Sequence, residues 1–229
     1  SQYGKQYLKL PAAEYKLVSH AGARDAYTFC MCPGGQVMAA ASEQGRLVVN
    51  GMSRYARDGV NANSALVCAV TPADYDGTDP LSGVRFQIAL EKKAYAFGGE
   101  NWKAPVQKLG DFMTNKNSSS LGEVLPTYPL GTAFAPLHEF FKSEITESLK
   151  AAVCDMDKRL KGFASSDAVF TGVESRTSSP LRILRDEKGE CVNVKNLYPA
   201  GEGAGYAGGI TSAAADGIKI AMLLAQKFA

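Results

Sequence analysis

Apolar residues in the first third of the chain fall into short runs that are separated by turn residues. Runs of this length between glycine and proline clusters are typical of β-strands joined by turns. The pattern therefore predicts four strands in a meander or a small mixed sheet. The predicted strands cover residues 27–31, 36–41, 46–50 and 65–70, and the turns between them are Pro33-Gly34-Gly35, Gly45 and Asp58-Gly59.

Two later segments have helical spacing. Asp79-Pro80 is a favourable helix start, because aspartate caps free amides and proline lacks an N–H that needs a partner, and this helix should extend to Gly98. A second helix is predicted at 137–153, where an apolar residue recurs at every fourth position. The remaining predictions are a long loop at 111–131 and strands at 168–173 and 181–184, separated by a polar turn at 175–180.

The last helix, predicted at 206–227, has an unusual composition. Small residues recur at every fourth position from Gly205 to Ala225, so that one face is almost free of side chains. The neighbouring stripe, which includes Ile210 and Ile218, is apolar. We therefore expect this helix to be buried on at least two sides.

Composition narrows the classes of function. The 229 residues include 25 basic and 23 acidic ones, with a net charge of +2, which does not give the single-signed surface of a nucleic-acid-binding protein. No window reaches the roughly 18 consecutive apolar residues of a membrane span, and the start lacks a secretory signal. Five irregularly spaced cysteines favour a reducing compartment. We expect a cytoplasmic protein with a small-molecule substrate and no nucleic-acid or membrane partner.

The glycine-rich segment 196–210 combines a short apolar strand, a turn and the start of the last helix. Its Gly203, Gly205 and Gly208 match the GxGxxG fingerprint of dinucleotide-binding folds. The literal match fails, because that fingerprint requires a further strand with an acidic residue about 20 positions later. The residues after Gly208 are predicted to be helical instead, so this segment is not a complete dinucleotide-binding unit.

Unpaired backbone amides at the start of this helix are still a plausible site for an electron-rich group. A helix N-terminus carries a partial positive charge, which would favour a reduced flavin ring by roughly 0.3–2 kcal/mol. Glu202 would then accept hydrogen bonds from ribityl hydroxyls. The alternative is that the glycines only permit a sharp turn and tight packing, and the pattern itself leaves the two open.

This terminus resembles the closing segment of the glutathione-reductase-like FAD-binding fold. Other segments resemble the bacterial FAD-dependent dehydrogenases that are also called NAD(FAD)-utilizing dehydrogenases. The resemblance rests on the segments 28–35 (TFCMCPGG), 50–53 (NGMS), 56–59 (ARDG), 61–64 (NANS) and 171–180 (TGVESRTSSP).

The resemblance implies an α/β fold in two parts and an oxidoreductase function. Residues 1–165 would form a mixed α+β substrate-type domain, and 166–229 the C-terminal part of an FAD/NAD(P)-binding domain. The implied reaction is hydride transfer between a small-molecule substrate and FAD, with NAD(P)H as a candidate electron donor. That family's amino-terminal FAD-gripping half has no counterpart here, so we expect a fragment that binds FAD weakly or not at all.

Candidate site residues follow from the same segments. The expected cofactor-binding residues are Gly201, Glu202, Gly203, Ala204, Gly208, Gly209, Ile210 and Ser179. The candidates for catalysis are Cys30, Cys32 and Arg176, and those for substrate binding are Arg57, Asn61 and Asn63.

Each of these candidates has a simpler alternative. The two cysteines, placed two apart on a strand and so on one face, can be a redox pair or small buried apolar residues. The arginine and asparagines can orient a carboxylate or carbonyl group, or belong to a solvated loop. Arg176 and Ser179 can lie beside the flavin or form a polar turn. No metal site is predicted, and the alternative function is a non-catalytic module that binds a ligand or partner.

Overall fold

The structure, a computed structural model, describes residues 16–41, 43–75 and 77–228, so the first fifteen residues of the predicted 1–165 domain lie outside it. The fold is α/β, as predicted. Two short 3₁₀ helices, Pro72–Asp74 and Leu137–Glu139, join the regular elements. These elements are β1 (Val18–Ser19), β2 (Ala26–Ala39), β3 (Val49–Met52), β4 (Asn61–Cys68), α1 (Ser82–Phe97), β5 (Ala104–Lys108), α2 (Leu109–Met113), β6 (Thr132–Phe134), α3 (Ser143–Arg159), β7 (Val169–Thr171) and α4 (Ile210–Phe228).

Two small sheets form the framework. In the first, β2 pairs antiparallel with β1 and β4 along its first part and with β3 along its last part. In the second, β5 lies between β6, which is parallel to it, and β7, which is antiparallel. Backbone hydrogen bonds connect the sheets, since the Val49 amide donates to the Val173 carbonyl at 2.9 Å. The segment after β7 is thereby fixed beside β3.

The turn predicted at Pro33-Gly34-Gly35 is wrong, because β2 continues through it as one strand of 14 residues. Its register against β4 shifts twice between Phe29 and Gly35. A Cβ added to Gly34 would lie 2.3 Å from the Arg57 carbonyl oxygen, and one added to Gly35 would lie 2.2 Å from that of Met52. The glycines therefore permit close approach of neighbouring backbone and do not reverse the chain.

One apolar core lies between α1, α3, β3 and β5. The helix predicted from Asp79 is confirmed, and it begins slightly later, at Ser82. The helix predicted at 137–153 is confirmed from Ser143 onward, and the residues before it form a 3₁₀ turn and a bend. The buried core residues include Leu47, Val49, Ala94, Leu109, Phe112, Leu137, Phe140, Ile145, Leu149, Val153 and Val173.

The strands predicted at 181–184 and just before the glycine turn are wrong. Within the described residues this region contains a single isolated bridge, Arg185 to Cys191. Leu184 is 59% exposed, so the apolar run does not mark a buried strand. A strand requires continuous pairing as well as apolar residues, and in the described part of the chain this run has isolated backbone hydrogen bonds instead, from the Ile183 amide to the Ala204 carbonyl and from the Val192 amide to the Leu184 carbonyl.

The packing predicted for the last helix is also wrong, although the helix itself is confirmed. Ile210 is 90% exposed and Ile218 is 63% exposed. A Cβ added to Gly217 would meet nothing within 4 Å, so the small-residue face does not pack closely there. In the part of the chain that the structure describes, neither this helix nor any other is long and apolar enough to cross a membrane.

Candidate functional site

A buried ion pair holds the glycine-rich turn against α4. Asp216 on α4 accepts two hydrogen bonds from the Arg185 guanidinium, at 2.6 and 2.9 Å, and both side chains are about nine-tenths buried. Asp216 also accepts the Gly201 amide at 2.8 Å. Arg185 donates in turn to the Pro199 carbonyl at 2.8 Å and lies 3.6 Å from the centre of the Tyr206 ring. One carboxylate and one guanidinium therefore fix both ends of the turn.

The charge of Asp216 is strongly stabilised in this arrangement. The hydrogen bonds from Arg185, and next the Gly201 amide, lower its pKa from 3.8 to about 2. The carboxylate is therefore ionised throughout the physiological range. Sequence reasoning missed both residues of this pair, because they are 31 positions apart and neither belongs to a recognisable motif.

The segment 179–183 supports the turn from its other side. The Ser179 hydroxyl lies 3.2 Å from the Gly203 carbonyl, the Arg182 side chain donates to the Gly205 carbonyl, and the Ile183 amide donates to the Ala204 carbonyl. Ser179 thus contacts the turn. Its place in cofactor binding stays a prediction.

The amides of the turn divide into two groups. Those of Gly201, Gly205 and Tyr206 donate to acceptors of the chain itself, so the expectation that the whole turn presents bare amides is wrong for these positions. In the described residues no acceptor is found for the amides of Gly208 and Gly209, which precede α4. The open amides therefore include those at the start of the helix, and in the described residues the amides of Glu202, Gly203, Ala204 and Ala207 have no acceptor either.

The catalytic candidates Cys30 and Cys32 lie on β2 where its pairing is irregular. Cys30 has a φ of 48°, and the register shift beside it interrupts the regular alternation on which the single-face prediction rested. The Cys32 thiol lies 3.3 Å from the Cys30 carbonyl oxygen. Desolvation raises the pKa of the Cys30 thiol, and the charges of Glu174, Cys32 and Glu202 raise it further. The negative charges of Glu174 and Glu202 thus both act on the Cys30 thiol.

The three substrate-binding candidates lie around Gly34 and Gly35, but their side chains have different contacts. The Asn61 amide group donates to the Leu125 carbonyl at 2.7 Å, so it fixes a loop. The Asn63 side-chain oxygen is buried against Gly51 without a hydrogen-bond partner in the described residues. Arg57 is exposed and has a φ of 52°. Their roles in substrate binding stay predictions.

Arg176 is bound to a buried carboxylate. Its guanidinium donates two hydrogen bonds, at 2.7 and 2.8 Å, to Glu91 of α1, which is completely buried. Burial alone would raise the pKa of Glu91, but the hydrogen bonds from Arg176 and Ser175 outweigh it and the pKa is lowered. The Gln87 side chain also donates to the Ser175 carbonyl. These contacts hold the segment after β7 against α1. Arg176 therefore has a structural partner, and its catalytic role stays a prediction.

Glu174 is a candidate that sequence reasoning missed. It lines a cavity of about 350 Å³, and in the described part of the chain its carboxylate has no hydrogen-bond or ion-pair partner. Burial raises its pKa from 4.5 to about 7. The signal in the sequence that could have identified Glu174 is its position directly after the apolar run 168–173. A group that titrates near neutral pH in a cavity is a candidate for proton transfer or ligand binding.

The proximity of Glu174 to Cys30 predicts a change in thiol reactivity. At pH 8 the substitution Glu174→Gln removes a negative charge that raises the Cys30 pKa, so more thiolate forms and alkylation of Cys30 by iodoacetamide should be about two- to threefold faster. Peptide mass spectrometry measures this rate for each cysteine. The exposed Cys154 on α3 is the internal reference, and Glu123→Gln in an exposed loop is the matched variant. An unchanged Cys30 rate would show that Glu174 does not act on this thiol.

The fold and the turn define a class of protein before any comparison. A glycine-rich turn that leads open amides into a long helix, on an α/β framework, is of the kind that holds an electron-rich cofactor. The chain belongs to the family described as FAD-dependent protein, C-terminal domain-like, whose family model matches residues 1–177. The match ends before the glycine turn.

A relative supports this assignment. An uncharacterized protein of Clostridium beijerinckii (strain ATCC 51743 / NCIMB 8052) is 52% identical over 232 aligned residues, which include all of this chain. The chain spans 44% of the length of that relative. The chain is thus part of an FAD-dependent protein family with a bacterial member.

Proposed function

We propose that this chain supplies the substrate-binding part and the cofactor-closing turn of an FAD-dependent dehydrogenase. The reaction would be hydride transfer between a small-molecule substrate and the flavin, with NAD(P)H as a candidate electron donor. The observation that supports the proposal is the glycine turn with open amides at the start of α4, in a chain of an FAD-dependent family. FAD, when bound, supplies the two-electron chemistry that no amino-acid side chain provides.

The residues of the turn fit such a cofactor. The amides before α4 have no acceptor in the described residues, and they lie at the positive end of a helix of 19 residues. A Cβ added to Gly203 would meet nothing within 4 Å, and one added to Gly208 would lie 3.7 Å from the Ser178 hydroxyl. The turn therefore leaves room for a ligand on its outer side. Gly208 and Gly209 would donate to the ring, and Glu202 would accept from hydroxyl groups.

The other residues have distinct proposed roles. Arg185 and Asp216 position the turn, because both side chains bind its backbone and form a buried ion pair with each other. Glu174 holds or releases a proton near neutral pH, beside the Cys30 thiol. Ser179 links the segment after β7 to the turn, so that a ligand in the cavity and a cofactor at the turn would be neighbours. This division of roles assigns binding to the turn and proton handling to Glu174.

A spectroscopic titration tests the proposal. FAD is added to the protein at its full native length, and its visible spectrum is recorded before and after reduction with dithionite. We expect a bound flavin with a shifted spectrum and an affinity that falls about tenfold in an Asp216→Ala variant, since the turn is no longer positioned. Glu123→Gln, in an exposed loop, is the control. If the full-length protein neither binds nor retains FAD, this result would instead support a non-catalytic binding module. That function is consistent with a turn whose backbone is already held by side chains of the same chain.

A further inference from the structure

The cavity lined by Glu174 has the dimensions and composition of a small-molecule site. It lies between α1, α3 and the sheet that contains β2 and β4, and its volume is about 350 Å³. Small-molecule sites range from about 300 to 1,000 Å³ and are mostly apolar with a few polar groups. Here the apolar walls include Tyr27, Leu66, Phe86, Leu90, Phe141 and Ile145.

The cavity adjoins the glycine turn through one segment of chain. Val173, Glu174, Ser175 and residues 177–180 line the cavity. The same segment contacts the turn, where the Ser179 hydroxyl lies 3.2 Å from the Gly203 carbonyl. A molecule in the cavity is thus separated from the turn by a single layer of backbone.

The polar lining is asymmetric in charge. Glu174 is the one charged residue among the described residues that line the cavity, and no lysine, arginine or histidine lines it. Its carboxylate is without a hydrogen-bond partner in the described part of the chain. Glu174 is partly buried, and a carboxylate that is shielded from water and has no partner is stabilised when a ligand donates to it. The negative charge of Glu174 disfavours an anionic ligand, whereas a positively charged ligand supplies the hydrogen-bond donor that Glu174 lacks.

We propose that this cavity binds a small apolar molecule that carries an amine, with the ammonium group on Glu174 and the apolar part against Phe86, Leu90 and Ile145. The aromatic rings of the lining add a second attraction for a cation, because their faces are electron-rich. This assignment goes beyond the proposed function, since binding to the cavity requires no cofactor. If the proposed function holds as well, the assignment of the cavity identifies an amine as the class of substrate.

The proposed contact depends on pH in a defined direction. The pKa of Glu174 is about 7, so its carboxyl group becomes charged as the pH rises from 6 to 8. A primary amine, with a pKa near the roughly 10.4 of lysine, stays protonated over this interval. Among the described residues, the other titratable ones that line the cavity are Tyr27, Cys68 and Tyr75, and burial raises the pKa of the Cys68 thiol. Binding of an amine should therefore tighten between pH 6 and pH 8.

Methyl NMR of the cofactor-free chain tests the proposal directly. The chain is labelled with ¹³C in its leucine and isoleucine methyl groups and titrated with 2-phenylethylamine at pH 6 and pH 8. We expect saturable shifts of the cavity methyls of Leu66, Leu90 and Ile145, with the exposed Leu125 unaffected. The affinity should be about tenfold higher at pH 8, the value of one charge-assisted hydrogen bond.

Two comparisons make the test decisive. Glu174→Gln should weaken binding of the amine about tenfold. Binding of the neutral 2-phenylethanol should be unchanged, which also shows that the cavity of the variant is folded. Glu123→Gln should change the binding of neither compound. Phenylacetate should bind more weakly than the amine. Equal binding of amine and acid, equal amine binding to the wild type and Glu174→Gln, or no saturable shift of the cavity methyls would overturn the proposal. If FAD did not bind the full-length protein, the dehydrogenase function would be rejected, and the assignment of the cavity would be unaffected.

Discussion

Replacing Asp216 with alanine is expected to lower the free energy of unfolding by about 3–5 kcal/mol, because it leaves a buried guanidinium without its counter-charge. The Arg185 side chain is 9% exposed, and two of its hydrogen bonds go to this carboxylate. The Gly201 amide loses its acceptor at the same time. Urea denaturation measures the loss, and hydrogen exchange at Gly201 and Tyr206 shows whether the turn opens before the rest of the chain.

The same ion pair has a signature in acid. The folded-state pKa of Asp216 is about 2, below the 3.8 of the unfolded chain. Its contribution to stability is therefore complete above pH 4 and is lost as the pH falls towards 2. The stability difference between wild type and Asp216→Asn should shrink over this interval. Lys158→Gln, in a pair whose lysine is 75% exposed, should change stability by less than about 0.5 kcal/mol at any pH. A difference that does not depend on pH would contradict this account of the pair.

The elements that sequence reasoning predicted well are those whose environment is encoded locally. In α3, Ile145, Leu149 and Val153 recur every four residues, and all three are buried in the core. An amphipathic helix packs on one face, so its spacing carries the information. The start of α1 lies close to the predicted one, although Asp79 does not cap the helix: its side chain accepts the Leu81 amide at 2.9 Å, and Leu81, the N-cap residue, makes no side-chain cap hydrogen bond.

The elements that were mispredicted depend on partners distant in the sequence. Gly34 and Gly35 looked like a turn, but their role is to let the backbone at Arg57 and Met52 approach β2. The apolar run 181–184 looked like a strand, yet no strand in the described residues pairs with it. Glycine and apolar residues have several uses, and the tertiary neighbour decides which one applies.

The candidate site divides along the same line. The glycine turn and the cysteines on β2 were found from the sequence, because their residue types suggest chemistry directly. Glu174 was missed because what distinguishes it is burial without a partner, which is a property of the folded chain. The pair of Arg185 and Asp216 was missed for a similar reason. Sequence reasoning thus located the segments of the site, and the structure added the residues that hold it in place.

The Arg176 and Glu91 pair gives the second large effect. Arg176→Met is expected to lower the free energy of unfolding by about 3 kcal/mol, since Glu91 is completely buried and would keep only its hydrogen bond from Ser175. The double variant Glu91→Met/Arg176→Met removes both charges and retains apolar volume. It should recover most of the loss, because an apolar pair of similar size often replaces a buried ion pair without penalty.

The two variants also differ in their response to pH. Without Arg176, burial is no longer opposed by the guanidinium, so the pKa of Glu91 rises above its usual value. The Arg176→Met variant should then gain stability relative to wild type as the pH falls from 7 to 5, because the unpaired carboxylate takes up a proton. The double variant has no group to titrate there and should show no such gain. Chemical denaturation of the three proteins and of the Glu91→Met single variant at both pH values measures the coupling between the residues. Equal losses in the single and double variants would mean that Arg176 stabilises the chain by packing, and its guanidinium would then be available for the catalytic role.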